Sequence, residues 1–506
     1  MTLAIVVEPR AVSRAAPVRR TATALGALGA LVSLLGSWIP SLWGDEAASL
    51  LSAERSIPSL LFMIQHVDAV HGTYYLGLHF WIRLFGTSPF AIRLPSALAI
   101  GACVAAMVLI GARLDSLTLG VIAGVVCMVV PRVTSMGQEA RSYAFSAAIA
   151  AWLTLLLLEI LGQRVASRRR WIAYTLLTVL AIYVFLYLAL IAVAHLALIL
   201  LRDDRKTLAK AWAKWFGVAV LLASPLIVTG ILEHGQIAYL GTRTEITFPT
   251  LAVGLWFGND PFAILAWALI LAALLFFVLD RRRGRTHLLV PPERLPSATI
   301  VGAAWLFLPS IMLIGSHFLV PDFTARYLSM CAPASALLMA VAIRRIARSR
   351  VPLIALGLLV VTALAAPNWV QQRGPYAKNN SDWAEISSRM ATLARPGDAV
   401  LFDESTRPSR QPRLAFNTYP AGFAGLDDVT LKTPFSDNNT WYDRLYTITE
   451  AASLGRLDGV QKVWMIEYAI GPKIDTDGIS ELKALGFQRQ STVKNYRSAI
   501  IEFVRE

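Results

Sequence analysis

Residues 261–279 read PFAILAWALILAALLFFVL, nineteen positions without a charge, and Asp280, Arg281, Arg282, Arg283 and Arg285 follow at once. A helix crosses hydrocarbon in roughly 20 residues, so this run is a membrane span. The arginines that end it mark the cytoplasmic side, where basic loops are retained. Working outward, similar apolar blocks occupy residues 22–42, 92–112, 117–134, 142–162, 171–184, 187–201, 213–232, 299–319, 327–346 and 351–368. The chain therefore reads as a polytopic α-helical membrane protein with about 11 transmembrane helices. Composition agrees, because 56% of residues are hydrophobic and only 16% are charged, against about a quarter charged in soluble domains.

Arg10, Arg14, Arg19 and Arg20 precede the first block and imitate a secretory leader. The block is longer than a leader's apolar core and stops at Trp38, Pro40 and Trp43 without a small-residue cleavage site, so it reads as the first span. The thirty residues from 171 to 201 fit either one tilted helix or two short spans. Basic residues before them (Arg164, Arg168, Arg169, Arg170) and after them (Arg202, Arg205, Lys206, Lys210, Lys214) require two, since both ends then lie inside. With eleven spans every basic cluster, including Arg344 to Arg350, falls on one face. The expected layout is a plasma-membrane module over residues 1–368, with an outer loop at 43–91, and an extracytoplasmic soluble domain over 369–506.

The soluble tail carries 17 basic and 17 acidic residues, so the formal charge of +14 belongs to the membrane part. It reports orientation and contact with anionic lipid, and nucleic acid is excluded as a partner. Cys103, Cys127 and Cys331 all lie in apolar runs and leave no spaced pair for a disulfide framework or zinc. No glycine-rich phosphate loop occurs; the glycines from Gly26 to Gly36 serve close helix packing. No cofactor is expected.

Chemistry first appears in the outer loop, which opens Trp43-Gly44-Asp45-Glu46. Two readings stand: an interfacial indole with Asp45 capping a helix from Ala47 to Ala53, or a general base held where a lipid-linked substrate presents its phosphate and sugar. His66, Asp68, His71, Thr73, Tyr74, Tyr75, His79 and Trp81 follow, then Arg83 and Arg93. Tyr74 to Phe85 is too short to span and fits an amphipathic helix lying on the membrane. His66, Asp68 and His71 are the divalent-metal candidates, but their spacing lacks the His-Glu-x-x-His pattern, and a wet loop that coordinates nothing is the preferred reading. A second outer turn carries Gln138, Glu139, Ala140, Arg141, Ser142 and Tyr143, and a third carries Asp322, Arg326 and Tyr327. Arginines at these positions either snorkel to lipid phosphate or clamp a polyprenyl phosphate, and two on the side of the acidic pair favour the clamp.

Together these motifs resemble the GT-C superfamily of membrane glycosyltransferases, in the branch of protein O-mannosyltransferases and aminoarabinose transferases. Asp45 and Glu46 match that branch's acidic motif. His71, Tyr74 and Tyr75 match its His-Pro-Pro-x-Tyr-Tyr stretch, with Gly72 and Thr73 in place of the prolines, which loosens the backbone there. Leu84-Phe85-Gly86, Arg93-Leu94-Pro95, Ala140 to Tyr143 and Arg326 to Leu328 match further motifs, so the resemblance covers residues 30–330. It implies an inverting transferase that moves a sugar from a polyprenyl-phosphate monosaccharide to a glycolipid, glycan or protein acceptor. Asp45 would be the base, with Glu46 its rival; Arg141 and Arg326 would hold the leaving phosphate. His71, Tyr74, Tyr75, Arg93, Glu139, Tyr143 and Tyr327 would line the substrate. Mannose is favoured as the sugar because Asp-Glu is the mannosyltransferase form, with a pentose such as arabinose or aminoarabinose as the alternative. A transporter of lipid-linked sugar is less well supported, since the spans are nearly free of charge and the polar residues collect at outer ends.

The tail reads as a small α/β domain: a helix over 382–394, a turn at Pro396-Gly397-Asp398, strands at Ala399 to Phe402, Val463 to Ile466 and Ser498 to Phe503, and a helix near 480–485. It covers the cleft or recognises the acceptor. Asp403 and Glu404 read as a solvated turn at a strand end.

Overall fold

The computed structural model describes residues 10–163, 167–242, 245–286, 288, 290–291, 294–470 and 473–506, with 10–15, 237 and 470 as backbone only; Arg164 of the expected cytoplasmic cluster lies outside them. The chain divides into two compact units, Met1–Leu35 with Leu94–Val370, and Gly36–Arg93 with Gln371–Glu506. By their contacts, residues 43–91 group with the tail.

In the first unit, seven helices among the described residues are long and apolar enough to cross a membrane: Pro89–Leu114, Tyr143–Leu161, Arg205–Leu232, Asp260–Arg282, Ala298–Ser316, Ala325–Ile346 and Val351–Gln371. The protein is a multi-pass membrane protein. Leu117–Val129 and Leu186–Leu200 are apolar but shorter, and Arg168–Val184 has 17 residues, so not all eleven expected spans qualify. The first expected span also ends early. Its helix is Arg10–Leu34, and beyond it Gly36 turns at φ +71°, a region glycine enters without steric cost, with Pro40 close behind. The stretch 171–201 does break in two, at Phe185, whose extended backbone separates Arg168–Val184 from Leu186–Leu200.

Packing in this unit relies on glycine and on buried polar bonds. A Cβ on Gly26 would meet the Gly101 carbonyl oxygen at 2.8 Å, and one on Gly101 would meet that of Gly26 at 2.7 Å, so the two helices cross backbone to backbone. Deeper in the bundle, His195 joins Tyr174 at 2.7 Å and Thr154 at 3.2 Å, and the Trp212 indole donates to the Tyr174 hydroxyl at 3.1 Å. Each of these groups would be costly to leave unpaired in lipid.

The second unit is built on a mixed sheet. Its strands are β1 (Ala399–Phe402), β2 (Asp427–Asp428), β3 (Leu431–Thr433), β4 (Arg444–Leu445), β5 (Lys462–Ile470), β6 (Lys473–Ile474), β7 (Phe487–Lys494) and β8 (Ser498–Arg505). The order is β2-β1-β5-β8-β7, with β6 on β5 and a separate β3-β4 pair. β1 runs parallel to β5, Phe402 opposite Ile466, while β8 is antiparallel to β5. Ala399, Leu401, Val463, Met465, Ile501 and Phe503 supply one buried face. The helices Trp383–Leu393 and Ile479–Ala484 stand where the apolar pattern places them. β7 escaped detection because it is an edge strand with only Phe487 buried, so its sequence, Phe-Gln-Arg-Gln-Ser-Thr-Val-Lys, shows little alternation.

The outer-loop helices of this unit are Gly44–Glu54, Ile57–Ile64 and Gly72–Phe85. Gly44 admits a close approach, since a Cβ there would lie 2.3 Å from the Ser409 carbonyl oxygen. Gly72 and Thr73 begin the third helix instead of loosening the chain before it. That helix buries Tyr74, Tyr75, Leu78, His79 and Ile82 and exposes Leu76, Phe80, Leu84 and Phe85. The exposed apolar face is what a helix lying on a membrane presents.

Candidate active site

The acidic motif opens the helix Gly44–Glu54, whose N-cap is Trp43 without a side-chain cap; Asp45 is in the first turn, not at the cap. The two neighbours have different surroundings. Glu46 is fully buried, and Arg93 grips it with both arms of its fork: Nε donates to Oε1 at 2.7 Å and Nη2 to Oε2. Arg93 Nη1 also donates to the carbonyls of Ser37 at 2.6 Å and Pro40 at 2.8 Å. A bidentate pair with its remaining protons on backbone oxygens is the arrangement that makes buried charge tolerable. Asp45 is only half-buried, with its backbone carbonyl accepting from the Ser49 hydroxyl.

Further along the loop, Asp68 adopts φ +60°, in the left-handed region. Its Oδ1 accepts from His71 Nδ1 at 2.6 Å, and its Oδ2 accepts from the Tyr75 hydroxyl and from the Trp441 indole at 3.3 Å. Tyr74 is buried beside Tyr75, ring centroids 6.4 Å apart. His66 is exposed and bonds through Nδ1 to the Phe62 carbonyl at 2.8 Å, so the three metal candidates do not converge. Asp68, which the spacing alone did not single out as a centre, thus joins His71 and Tyr75, and Tyr74 packs beside Tyr75.

In the first unit, Glu139, Arg141 and Tyr143 are buried around the start of the helix Tyr143–Leu161. The turn is held by the Ser96 hydroxyl, which donates to the Glu139 carbonyl at 2.6 Å, and by the Arg141 N–H, which donates to the same oxygen at 2.8 Å. The guanidinium of Arg326 lies over the Tyr143 ring, 5.9 Å from its centroid. Tyr327 stacks on Tyr187 at 4.6 Å, and Phe185 touches Tyr143, Tyr187 and Tyr327 at 5.7, 5.9 and 5.7 Å. The Tyr187 hydroxyl donates to Asp322 at 3.1 Å. The two motifs that begin at Ala140 and Arg326 are therefore brought together, through a ring cluster to which Phe185 and Tyr187 contribute.

Arg132 was missed by sequence reasoning. It donates to the carbonyls of Leu255 at 2.7 Å and Gly254 at 2.6 Å, and the charged and polar groups around it are Glu139, Arg326, Tyr143 and Glu245. Glu245 accepts from the Ala325 N–H at 3.1 Å, next to Arg326. A charge ending the apolar run at Pro131 was a usable signal for Arg132; nothing near Glu245 was. Arg132 and Arg326 beside a wall of rings, with Arg141 buried in the adjoining turn, supply guanidinium groups that can hold an anion with an apolar body.

No family model matches the chain, and no curated protein matches it. Solved structures do. The chain is similar to ArnT from Cupriavidus metallidurans bound to undecaprenyl phosphate, with a TM-score of 0.54 and 12% identity over 94% of this chain and 97% of that one. It is similar to the arabinofuranosyltransferase AftD from Mycobacteria, TM-score 0.54 and 17% identity, over 95% of this chain but 39% of that one. A third likeness is to the Archaeoglobus fulgidus oligosaccharyltransferase tethered with an acceptor peptide, TM-score 0.50 and 11% identity, over 88% of this chain and 68% of that one. The fold is shared with these three structures.

Proposed function

We propose that the protein transfers a sugar from a polyprenyl-phosphate monosaccharide to an acceptor hydroxyl, with inversion at the anomeric carbon. The observation that carries this reading is the cluster of Arg132 and Arg326 with Tyr143, Phe185, Tyr187 and Tyr327, next to the turn in which Arg141 is buried, combined with a likeness along 94% of the chain to a structure that holds undecaprenyl phosphate. In the reaction, the acceptor oxygen forms a bond to the anomeric carbon as the bond from that carbon to phosphate oxygen breaks. The polyprenyl phosphate leaves with the electron pair, and Arg141 and Arg326 neutralise its growing charge. Asp45 takes the acceptor proton, because Glu46 is fully buried and held by Arg93 whereas Asp45 is half-buried. The Glu46–Arg93 pair then fixes the backbone from which Asp45 is presented.

The sugar is of the pentose class in this reading. The mannose preference rested on the Asp45-Glu46 dipeptide, whereas an arabinofuranosyltransferase is among the structures the chain resembles along nearly its whole length. The acceptor is a glycan, glycolipid or protein on the outer face. The test is to incubate the purified chain in detergent with polyprenyl-phosphate arabinofuranose, aminoarabinose and mannose, plus an envelope extract as acceptor, and measure free polyprenyl phosphate. A pentose donor consumed at least tenfold faster than mannose supports the reading. Preference for mannose reverses the sugar, and no consumption of any donor removes the enzyme.

A further inference from the structure

The sheet of the second unit carries a carboxylate cluster that the transfer reaction does not use. Asp403 follows directly on β1 and is fully buried, so the solvated turn expected there does not form at this residue. The parallel register places it against β5: its N–H donates to the Ile466 carbonyl at 2.9 Å, and Tyr468 N–H donates to its Oδ2 at 3.1 Å. Its Oδ1 accepts from the Ser405 N–H at 2.7 Å and the Ser405 hydroxyl at 2.6 Å. Asp475, just after β6, is fixed in the same way by the N–H groups of Thr476 at 2.7 Å and Asp477 at 3.2 Å. The Ser405 hydroxyl also reaches Asp475 Oδ2, at 3.0 Å, but one hydroxyl proton cannot serve both aspartates.

Glu467 of β5 completes the group. Its side chain is fully buried, and neither carboxylate oxygen has a hydrogen-bond partner among the described residues. One oxygen from each of Asp403, Glu467 and Asp475 lies within 4.8 Å of the other two. The charged groups that face Glu467 are all acidic, namely Asp403, Asp475 and Asp477. Three carboxylates this close, with Asp403 and Glu467 fully buried, Asp475 exposed and no cationic side chain facing Glu467 among the described residues, cannot all remain ionised without a counter-charge. The cluster also stands at the carboxyl end of β1, beside a parallel strand, where α/β sheets commonly bind ligands.

We propose that Asp403, Glu467 and Asp475 hold a hard divalent cation of the Ca2+ or Mg2+ class at the carboxyl end of β1. An all-oxygen donor set with no histidine or cysteine selects hard ions over zinc or copper. Two of the carboxylates are already oriented by backbone N–H groups, and the cation supplies the partner that the Glu467 oxygens lack. Bound there, it ties the segment after β6 to the two central parallel strands. This site is separate from the sugar-transfer chemistry and does not depend on it.

The test uses the full chain in detergent, stripped with EDTA and followed by intrinsic-fluorescence melting, with CaCl2, MgCl2 and MnCl2 as probes. Expected is a saturable rise in Tm of a few degrees with at least one of the three, and stoichiometric Mn2+ binding seen by electron paramagnetic resonance. The Glu467→Gln and Asp403→Asn variants should lose that response, while Glu467→Gln in EDTA melts no lower than wild type in EDTA, which shows that it folds. A wild-type Tm unmoved by all three ions overturns the proposal in favour of a carboxylic acid kept neutral by its surroundings. An undiminished response in a folded Glu467→Gln variant overturns it too, since the cation would then bind elsewhere.

Discussion

Glu46 and Glu467 are both fully buried carboxylates in the same compact unit, and their surroundings answer their charge in opposite ways. Glu46 receives a two-armed guanidinium from Arg93, whose other protons go to backbone carbonyls. Arg413 does the same for Asp428 and Asp443, donating through Nε to the latter at 2.9 Å. Glu467 has only acidic neighbours and two oxygens without donors among the described residues. A buried charge matched within the chain is architecture; one left unmatched implies a proton or a ligand.

The comparison breaks most visibly at Arg93. Arg93→Met should leave Glu46 buried and unpaired, a cost of about 3–5 kcal/mol, read as a large fall in Tm or failure to accumulate. The double variant Glu46→Met with Arg93→Met should recover much of that loss, because two apolar side chains replace both charges. Recovery no better than the single variant would mean that the backbone bonds of Arg93, not the ion pair, hold this turn.

The neighbouring carboxylates sharpen it next. Asp45→Asn should lower turnover by about 100-fold or more, the scale of a lost general base, with Tm and donor binding nearly unchanged. Glu46→Gln should show the reverse weighting, with its loss mainly in Tm. Near-normal turnover by folded Asp45→Asn, at matched donor occupancy, would remove Asp45 as the base.

At the arginine cluster the expected effect is smaller. Arg141→Ala or Arg326→Ala each removes charge-assisted bonds to the leaving phosphate, about 10- to 100-fold in donor-dependent turnover. Lysine should restore part of it, since a point charge lacks the planar fork. Unchanged donor binding and turnover in both alanine variants would leave these arginines as lipid anchors.

The smallest effect is the pH response of Glu467. Burial first, then Asp403, Asp475 and Asp477, push its carboxyl from an ordinary 4.5 up to about 9. The folded state therefore binds a proton that the unfolded state releases between these values. The stability due to the neutral group is fully present below about pH 4.5 and is lost as pH rises towards about 9. In EDTA, Glu467→Gln should gain on wild type in Tm by a few degrees from pH 5 to pH 9. A gap that is flat with pH would show that Glu467 titrates normally.

Composition and periodicity alone determined that this is a multi-pass membrane protein with a terminal α/β region. Spans and core strands depend on local apolar runs, which any window of sequence displays. Thus residues 261–279 and β1 were legible at once. The motif residues were legible too, as residue types at outer ends of spans. Their division of labour was not. Asp45 and Glu46 are adjacent and chemically alike, and only the approach of Arg93, 47 positions on from Glu46, separates them. Phe185 and Tyr187, Arg132, and Glu245 join the arginine cluster from three separate stretches, and Glu467 meets Asp403 only because β1 and β5 pair in parallel. Side-chain environments of this kind are set by contacts distant in sequence, so pattern shows which groups are available and tertiary packing decides which are matched, presented or left in need of a ligand.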